Sequence, residues 1–303
     1  MIRIAEAAGL VTGPAHTVSN TYETHRNVLA SKENSVPSDS SVVSNYSYQV
    51  NAIGQRTNLS TTGTAFTSSN TLAWSYNARG ELATADHNDS SQDRAFQYDG
   101  IGNRQKASNS LTLPAGENYT TNSLNQYTGI AGLPVRTHDA DGNLTSGTLP
   151  ADQSGNATLV WDAENRLVAV TKSNGEIIRF SYDYQSRRIS KAVDGSPATY
   201  YIYDDWNMIA DYTIDNSEFL IRNSYTWGTD LSGSMQGAGG VGGLLQVTDH
   251  RSLSTEHFYP TYDGNGNVSE YLDSTGSAVA HYEYDPFGNI TVSNGTKAND
   301  FEH

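Results

Sequence analysis

The stretch Tyr98-Asp99-Gly100-Ile101-Gly102-Asn103-Arg104 contains the signals of a tight turn between two β-strands. Tyr98 is typical of a strand, and Asp99 can accept hydrogen bonds from the backbone of the turn that it opens. Gly102 can adopt the positive φ that a bulged type I turn requires. One copy would predict a single hairpin. Because the same pattern returns along most of the chain, it predicts the fold of the whole.

The repeat becomes visible when the position of Tyr98 is followed along the sequence. Up to Tyr203, and again from Tyr262 to Tyr284, its equivalents lie at intervals of about 22 residues, and each is followed by Asp or Asn. They are Val50, Tyr76, Tyr98, Thr121, His138, Trp161, Tyr182, Tyr203, Tyr262 and Tyr284. The turn position of Gly102 is filled elsewhere by Gly54, Gly80, Gly142, Gly266, Gly288, Asn125, Asn165, Ser186 and Asn207.

An interval of about 22 residues fits one β-hairpin. From Trp161 the sequence predicts a turn, a strand over Arg166–Lys172, a tight Ser173-Asn174-Gly175 turn and a returning strand over Glu176–Tyr182. A single hairpin is marginally stable in water, so neighbouring copies must pair edge to edge. The predicted fold class is therefore all-β, with repeated antiparallel β-hairpins that form a curled or spiralling continuous sheet. Open sheet edges would invite self-association.

Composition agrees with this fold class and excludes several functions. Among 303 residues, 27 are Gly and 19 are Tyr, which favours strands and turns over long helices. The formal net charge of −15 argues against nucleic acid as a partner, because phosphate binding requires clustered Lys and Arg. The chain has no Cys and no apolar run long enough for a transmembrane helix.

The rhythm of the repeat divides the chain into five parts. We expect an irregular N-terminal part-repeat over 1–45, the main repeat array over 46–227, a Gly-rich excursion over 228–248, the last repeats over 249–295 and a polar tail over 296–303.

The Tyr-Asp dipeptides at Tyr98, Tyr182, Tyr203, Tyr262 and Tyr284 resemble those of the RHS/YD-repeat family. Residues 282–289, Tyr-Glu-Tyr-Asp-Pro-Phe-Gly-Asn, resemble the start of that family's repeat-associated core. The resemblance implies hairpins wound into a spiral shell. Such shells enclose a C-terminal toxin in insecticidal toxin complexes and polymorphic bacterial toxins, and related shells occur in teneurins.

This resemblance implies a non-catalytic structural role and a co-encoded polypeptide, such as a toxin, as the partner. It also implies a secreted or cell-surface location. The self-cleavage motif of the family follows the core, and residues 1–303 do not contain it. Self-cleavage, and encapsulation by this chain alone, are therefore not expected.

Two short motifs imitate ligand sites. Residues 237–242 match the Gly spacing of dinucleotide-binding loops, but a strand-like segment follows where a helix is required. Residues 138–143 place carboxylates at calcium-loop spacing, without the Gly position and closing Glu of an EF-hand. We interpret both as turns and predict no cofactor and no metal site.

Catalytic and carbohydrate-binding sites are the remaining alternatives. A hydrolase would be sought at Asp249, His250 and His257, because Ser234 lies one place early for a nucleophile elbow. No catalytic residue is predicted. Exposed aromatic rings could stack on sugars, which makes a surface carbohydrate-binding or adhesion module the alternative function, with glycans as partners. The Trp residues concerned are Trp74, Trp161, Trp206 and Trp227.

Overall fold

The computed structural model describes residues 16–37, 40–116, 118–149, 152–215, 217–251 and 254–301. These residues form strands β1 to β24, a 3-10 turn at Ser90–Gln92 and one short helix, α1, at Ala298–Phe301. The predicted all-β fold is confirmed. The strands are, in order, Thr17–Tyr22, Leu29–Val36, Ser41–Val50, Arg56–Thr62, Thr71–Tyr76, Leu82–His87, Arg94–Tyr98, Arg104–Ser108, Tyr119–Thr121, Tyr127–Ile130, Thr137–His138, Leu144–Leu149, Asp152–Trp161, Leu167–Thr171, Ile177–Tyr182, Arg188–Val193, Thr199–Asp204, Asn207–Asp215, Glu218–Trp227, Leu244–Asp249, Glu256–Tyr262, Val268–Leu272, Ala278–Tyr284 and Ile290–Asn294.

Every strand pairs with one or both of its neighbours in sequence, and all the pairs are antiparallel. β1 to β8 form one sheet, β9 and β10 form a small second sheet, and β11 to β24 form a continuous sheet of 14 strands. Sequential pairing is the topology that a chain of hairpins produces, so the predicted hairpin repeat is confirmed.

The turn that opens at Asp99 shows why the repeat contains an acid. Its carboxylate accepts hydrogen bonds from the backbone N–H of Ile101 and Asn103, both at 2.9 Å, and from the Asn103 amide at 2.8 Å. These hydrogen bonds lower the pKa of Asp99, and the bond from the Asn103 side chain contributes most. Equivalent bonds form at Asp139, Asp162, Asp183, Asp263 and Asp285. The Asp therefore replaces backbone hydrogen bonds that the turn interrupts.

The turn glycines have the conformation that their positions require. Gly102 has φ +96°, and the Asn and Ser that replace it elsewhere also have positive φ, for example Asn165 at +58°. Asn207 is the exception. It pairs with Asp204 across a two-residue loop, and the positive φ of +51° falls on Asp205 instead. The assignment of Asn207 to the turn position is therefore wrong, because this hairpin is tighter than the others.

The repeated aromatic residue also connects consecutive hairpins. The hydroxyl of Tyr182 donates to the Leu167 carbonyl at 2.7 Å, which lies on the strand that follows the preceding turn. The same bond, from a Tyr hydroxyl or a Trp indole N–H, is made by Tyr76, Trp161, Tyr203, Trp227, Tyr262 and Tyr284. Each of these Tyr or Trp side chains thus satisfies a backbone carbonyl that lies next to the β-bulge of the preceding hairpin.

The Gly-rich segment is an enlarged repeat turn. In the ordinary turn, Asp99 N donates to the Asn103 carbonyl at 2.9 Å, and here Gly228 N donates to the Gly243 carbonyl at 2.7 Å. The buried Asp230 organises the insert, because its carboxylate accepts hydrogen bonds from Ser232 N, Ser232 Oγ, Ala238 N and Gly240 N. These bonds, led by that of the Ser232 hydroxyl, lower the pKa of Asp230 to about 2.

Both ends of the described chain are more ordered than their composition indicates. Within the part-repeat that the sequence predicts to be irregular, β1 and β2 form an antiparallel pair with one register shift, between Thr21 and Tyr22. The first 15 residues of this part lie outside the described residues. In the predicted polar tail, α1 buries Ala298, and the Phe301 ring stacks on Tyr271 at 4.0 Å. The tail therefore completes the core around β20 to β23.

We call the surface that the three sheets form the wall. In its middle, the wall is a single layer of strands. Tyr200, Ile202, Tyr212 and Phe219 occupy one face of β17 to β19, as their pairing register requires. The ring centres of Tyr200 and Tyr212 lie 5.3 Å apart, and those of Tyr212 and Phe219 lie 5.4 Å apart. Phe219 is nevertheless 70% exposed, and Ile202 is 40% exposed. Among the described residues, no second layer covers this face.

Candidate functional site: the seam between the first and last hairpins

The first strands of the chain pack against the last ones along a seam that closes the wall on itself. Asn34 Nδ2 donates to the Tyr262 carbonyl at 3.2 Å across 228 positions of sequence. At the distal end of the same strands, Val36 and Val43 bury Leu272, which is 1% exposed. β2 and β3 therefore lie on β21 and β22 over their length.

A fully buried carboxylate lies at the centre of the seam. Glu270 is 0% exposed, and its Oε2 accepts hydrogen bonds from Ser44 Oγ and Ser269 Oγ, both at 2.8 Å, and from Thr261 Oγ1. Ser44 belongs to β3, so the cluster joins the first sheet to the last. A buried carboxylate is tolerated when its oxygens are satisfied and its charge is paired.

His281 supplies that pairing. Its Nδ1 lies 3.0 Å from Glu270 Oε1, and its Nε2 lies 3.3 Å from Glu283 Oε1. Burial alone would lower the pKa of His281, but its hydrogen bonds to the two carboxylates outweigh burial and raise the pKa to about 9. The imidazole is therefore a cation between two acids at neutral pH. The Phe66 ring, in the connection between β4 and β5, lies edge-on 4.9 Å from the imidazole and covers this cluster.

A cleft of about 310 Å³ lies beside this cluster, between β3 to β6 and the last turns. Its walls combine the aromatic rings of Tyr48, Trp74 and Tyr284 with the carboxylates of Glu283 and Asp285. Its volume is at the lower end of the range for small-molecule sites. Burial, and then the nearby charge of Asp263, raise the pKa of the Tyr48 hydroxyl to about 12.

Two arginines bridge the seam by stacking on aromatic rings. The Arg56 guanidinium lies 4.0 Å from the centre of the Tyr48 ring and donates to Asn265 Oδ1 at 2.5 Å. The Arg104 guanidinium lies 4.3 Å from the Phe287 ring and 4.8 Å from the Phe96 ring. Contacts of this kind join side chains from both sheets, and the buried Nε of Arg104, which has no hydrogen-bond partner among the described residues, faces aromatic rings instead.

The three residues considered for hydrolase chemistry are neighbours along the chain or across β20 and β21, but no hydrogen bond joins any two of them. The Asp249 carboxylate is held by Arg251 at 2.7 Å, and His257 Nδ1 lies 2.7 Å from Gln246 Nε2. His250 is solvent-exposed, and its Nε2 lies 2.9 Å from Ser224 Oγ. Each of the three side chains thus has a separate structural partner, and their arrangement is not that of a triad.

The two segments whose sequences resemble ligand-binding motifs, residues 237–242 and 138–143, form turns. Residues 237–242 lie in the enlarged turn and lead into β20, as expected from the strand-like sequence that follows them. Asp139 uses its carboxylate for the backbone N–H groups of Asp141 and Asn143, at 3.0 and 2.8 Å. In the described ranges, no group of three or more His, Asp or Glu side chains could hold a metal ion.

The four tryptophans separate into two kinds. Trp161 and Trp227 donate their indole N–H to strand carbonyls, both at 2.7 Å, and so take the role of the repeat tyrosine. Trp74 lines the cleft, and Trp206 is 54% exposed. Neither indole N–H of this second pair has a partner among the described residues. Two of the four rings are therefore structural, and two are accessible to a ligand.

The sequence does not indicate Glu270, His281 or the cleft. Glu270 and Ser44 are 226 positions apart, and neither belongs to a repeat turn. The repeat predicts which strands are neighbours within a sheet, but not where one sheet meets another. Glu283 lies two positions after His281 on β23, and Glu270 is the cross-strand partner of His281 on β22. This pattern is the local signal that a search for buried ion pairs could have used.

Comparison with known proteins decides the family. The model named Teneurin YD-shell matches residues 43–302. The chain belongs to this family. Its structural neighbours include the Tc holotoxin pore of Photorhabdus luminescens that carries the TccC3 D651A mutation. That likeness has a TM-score of 0.66 at 17% identity and covers 94% of this chain and 15% of that one. A TcdB2-TccC3-Cdc42 structure has a TM-score of 0.53 at 15% identity and covers 93% and 15% of the two chains.

These structural likenesses show the YD-shell fold. Curated relatives of this family member include a tRNA3(Ser)-specific nuclease WapA of Bacillus spizizenii and a tRNA nuclease WapA of Bacillus subtilis. Each is 32% identical over 203 residues, which is 65% of this chain and 8% of the relative. The chain thus spans less than a tenth of these proteins, and their names describe the whole molecules. The part of the chain that the structure describes contains no helix with the length and hydrophobicity to cross a bilayer.

Proposed function

We propose that the chain is a non-catalytic segment of a shell wall that encloses or presents a polypeptide encoded with it, such as a toxin. The observation that carries this proposal is the seam. A wall whose first hairpins pack on its last ones, through a buried ion pair and Arg–aromatic stacks, is built to surround a space. Membership of the YD-shell family supports the same function.

The wall's chemistry also supports a structural role. The Asp side chains of the repeat turns are occupied by backbone hydrogen bonds, and the repeat aromatics by bonds between hairpins. The apolar face around Phe219 is large, uncovered within the described chain and suited to contact another polypeptide. No charged pocket of the kind required for tRNA is expected from a chain with net charge −15.

Protease protection in the native protein tests this function. The protein is isolated from the producing cells with all the polypeptide that is encoded in the same reading frame, and is digested with a nonspecific protease. We expect peptides from the co-encoded region to persist as long as the shell is folded, and to disappear once urea unfolds it. If that region is cut at the same rate in both conditions, it is not enclosed.

Carbohydrate binding is the second candidate function, and adjacent turns favour it. Tyr184 is 89% exposed and Trp206 is 54% exposed, and Arg187 of the first turn donates to the Asp205 carbonyl of the second. The two rings therefore extend from neighbouring turns, where they could stack on a sugar. A glycan array tests this with the chain and its Trp206→Ala variant. Reproducible binding that this change abolishes supports the candidate, and an array without binding refutes it.

A further inference from the structure

Two arginine side chains, one at each end of the seam, stack on aromatic rings in a similar way. At one end, Arg56 from β4 stacks on Tyr48 and reaches Asn265 in the turn after β21. At the other end, Arg104 from β8 stacks on Phe287 in the turn after β23. In each case a cation occupies the space between an aromatic ring and the backbone or ring of the opposite sheet.

The cleft occupies the interval between these two stacks. Trp74, Tyr76 and Tyr284 form its aromatic walls, and Glu283 and Asp285 place two carboxylates on it. Arg56 is the one Lys or Arg among its described lining residues, and its charge faces Tyr48 and Asn265. Arg94 lies 3.9 Å from Asp285, so that carboxylate already has a cation of the chain beside it. His281 is shared between Glu270 and Glu283, which leaves two carboxylates for one imidazolium beside the aromatic walls.

The lining groups retain capacity for a ligand. Glu283 Oε2 accepts one hydrogen bond, from Asn70 Nδ2 at 2.7 Å, and each carboxylate oxygen can accept two. The Trp74 indole N–H makes no bond to a described residue, whereas Trp161 and Trp227 use theirs to join strands. The face of the Trp74 ring is the strongest cation-binding surface that an uncharged side chain offers.

We propose that this cleft binds the guanidinium or ammonium group of a basic side chain carried by a polypeptide. The cation stacks on Trp74, and the Glu283 carboxylate, whose Oε2 retains capacity for a hydrogen bond, balances its charge. The cleft's small volume fits one side chain and its neighbours better than a large ligand. The polypeptide nature of the ligand rests on the proposed enclosure of a co-encoded chain.

Indole NMR tests the site directly. The 303-residue chain has four Trp residues, so a ¹⁵N-labelled sample has one indole N–H signal for each, and the Trp74→Phe variant identifies that of Trp74. The sample is titrated with an acetylated Gly-Arg-Gly amide and, separately, with the same peptide containing citrulline. We expect a saturable shift of the Trp74 signal with the Arg peptide, and binding of the citrulline peptide weaker by roughly tenfold or more.

A matched pair of variants separates the site from unspecific binding. Trp74→Ala should weaken binding of the Arg peptide by roughly tenfold, whereas Trp206→Ala, at the other accessible indole, should leave it unchanged. The signals of the remaining indoles show whether each variant is folded. Absence of a saturable shift, equal affinity for citrulline, or unchanged affinity in the Trp74→Ala variant would each refute the site.

Free arginine amide is titrated as a third arm. If it binds as tightly as the peptide, the ligand is a small cation and the polypeptide assignment is wrong. This result is distinguishable from failure of the enclosure function. If the protein binds the Arg peptide but does not protect the co-encoded region, the site is supported and the shell function is refuted. If the protein protects that region without binding the peptide, the shell function is supported and the site is refuted.

Discussion

Replacement of His281 should change how the stability of the protein depends on pH. His281 is 6% exposed and lies between Glu270 and Glu283, and its pKa is raised from 6.5 to about 9. A group whose pKa is higher in the folded state stabilises that state fully below its unfolded pKa. That stabilisation is lost as the pH rises through the folded pKa. The window therefore runs from about pH 6.5 to about pH 9.

The size of this effect follows from the shift. A change of about 2.5 pKa units corresponds to about 3 kcal/mol in the free energy of unfolding, because each unit is worth about 1.4 kcal/mol. Between pH 6 and pH 9.5, the wild-type chain should lose about 3 kcal/mol more than the His281→Asn variant. Urea unfolding at each pH, followed by tyrosine and tryptophan fluorescence, measures this difference.

A matched control keeps the interpretation specific. His250 is exposed and has a serine hydroxyl, not a carboxylate, as its partner, so His250→Asn should retain the wild-type pH dependence. An imidazole NMR titration of His281 provides a direct check. If the wild-type and His281→Asn chains lose the same free energy over this range, His281 is not held as a cation in the seam and the reasoning fails.

The repeat turns and hairpin contacts lead to three further predictions. Gly102→Ala should destabilise the chain by about 1 kcal/mol because φ is +96°, whereas Gly100→Ala, with open space and no positive φ, should be neutral in urea unfolding. Tyr182→Phe should cost about 1 kcal/mol through loss of a 2.7 Å hydrogen bond, and Tyr184→Phe, on an 89% exposed ring, nothing measurable. The low pKa of Asp230, about 2 in the folded state, means that its stabilisation is present above its usual value of 3.8 and lost as the pH falls through about 2. Asp230→Asn should therefore remove this acid dependence and make the enlarged turn easier to cleave in limited proteolysis at pH 7.

Local chemistry explains how much of the fold the sequence predicts. Asp99 and Gly102 impose a turn through contacts within five residues, so their recurrence predicts the hairpins and their order. The single wrong turn position, Asn207, comes from a hairpin whose loop has two residues. The same counting does not include Trp227 among the residues equivalent to Tyr98, because the insert that follows it hides the turn to which it belongs.

The seam and its cleft depend on contacts that no local pattern encodes. Ser44 and Glu270 meet because the sheet curls, and the degree of curl is the sum of small twists over many strands. Residue type gives a weak signal of burial, because the sequence does not distinguish a buried Glu from an exposed one. The sequence does not predict the tyrosine hydroxyl bonds between hairpins for a different reason, because cross-strand packing already accounts for an aromatic residue at that position.

Electron cryomicroscopy of the native protein, with everything encoded in its reading frame, tests the central claim most directly. We predict a closed wall that contains this chain, with the seam at Glu270 and His281 intact and polypeptide density in the enclosed space. An open wall, a closed wall whose interior is occupied only by its own side chains, or a co-encoded region that lies outside the wall would contradict a shell function.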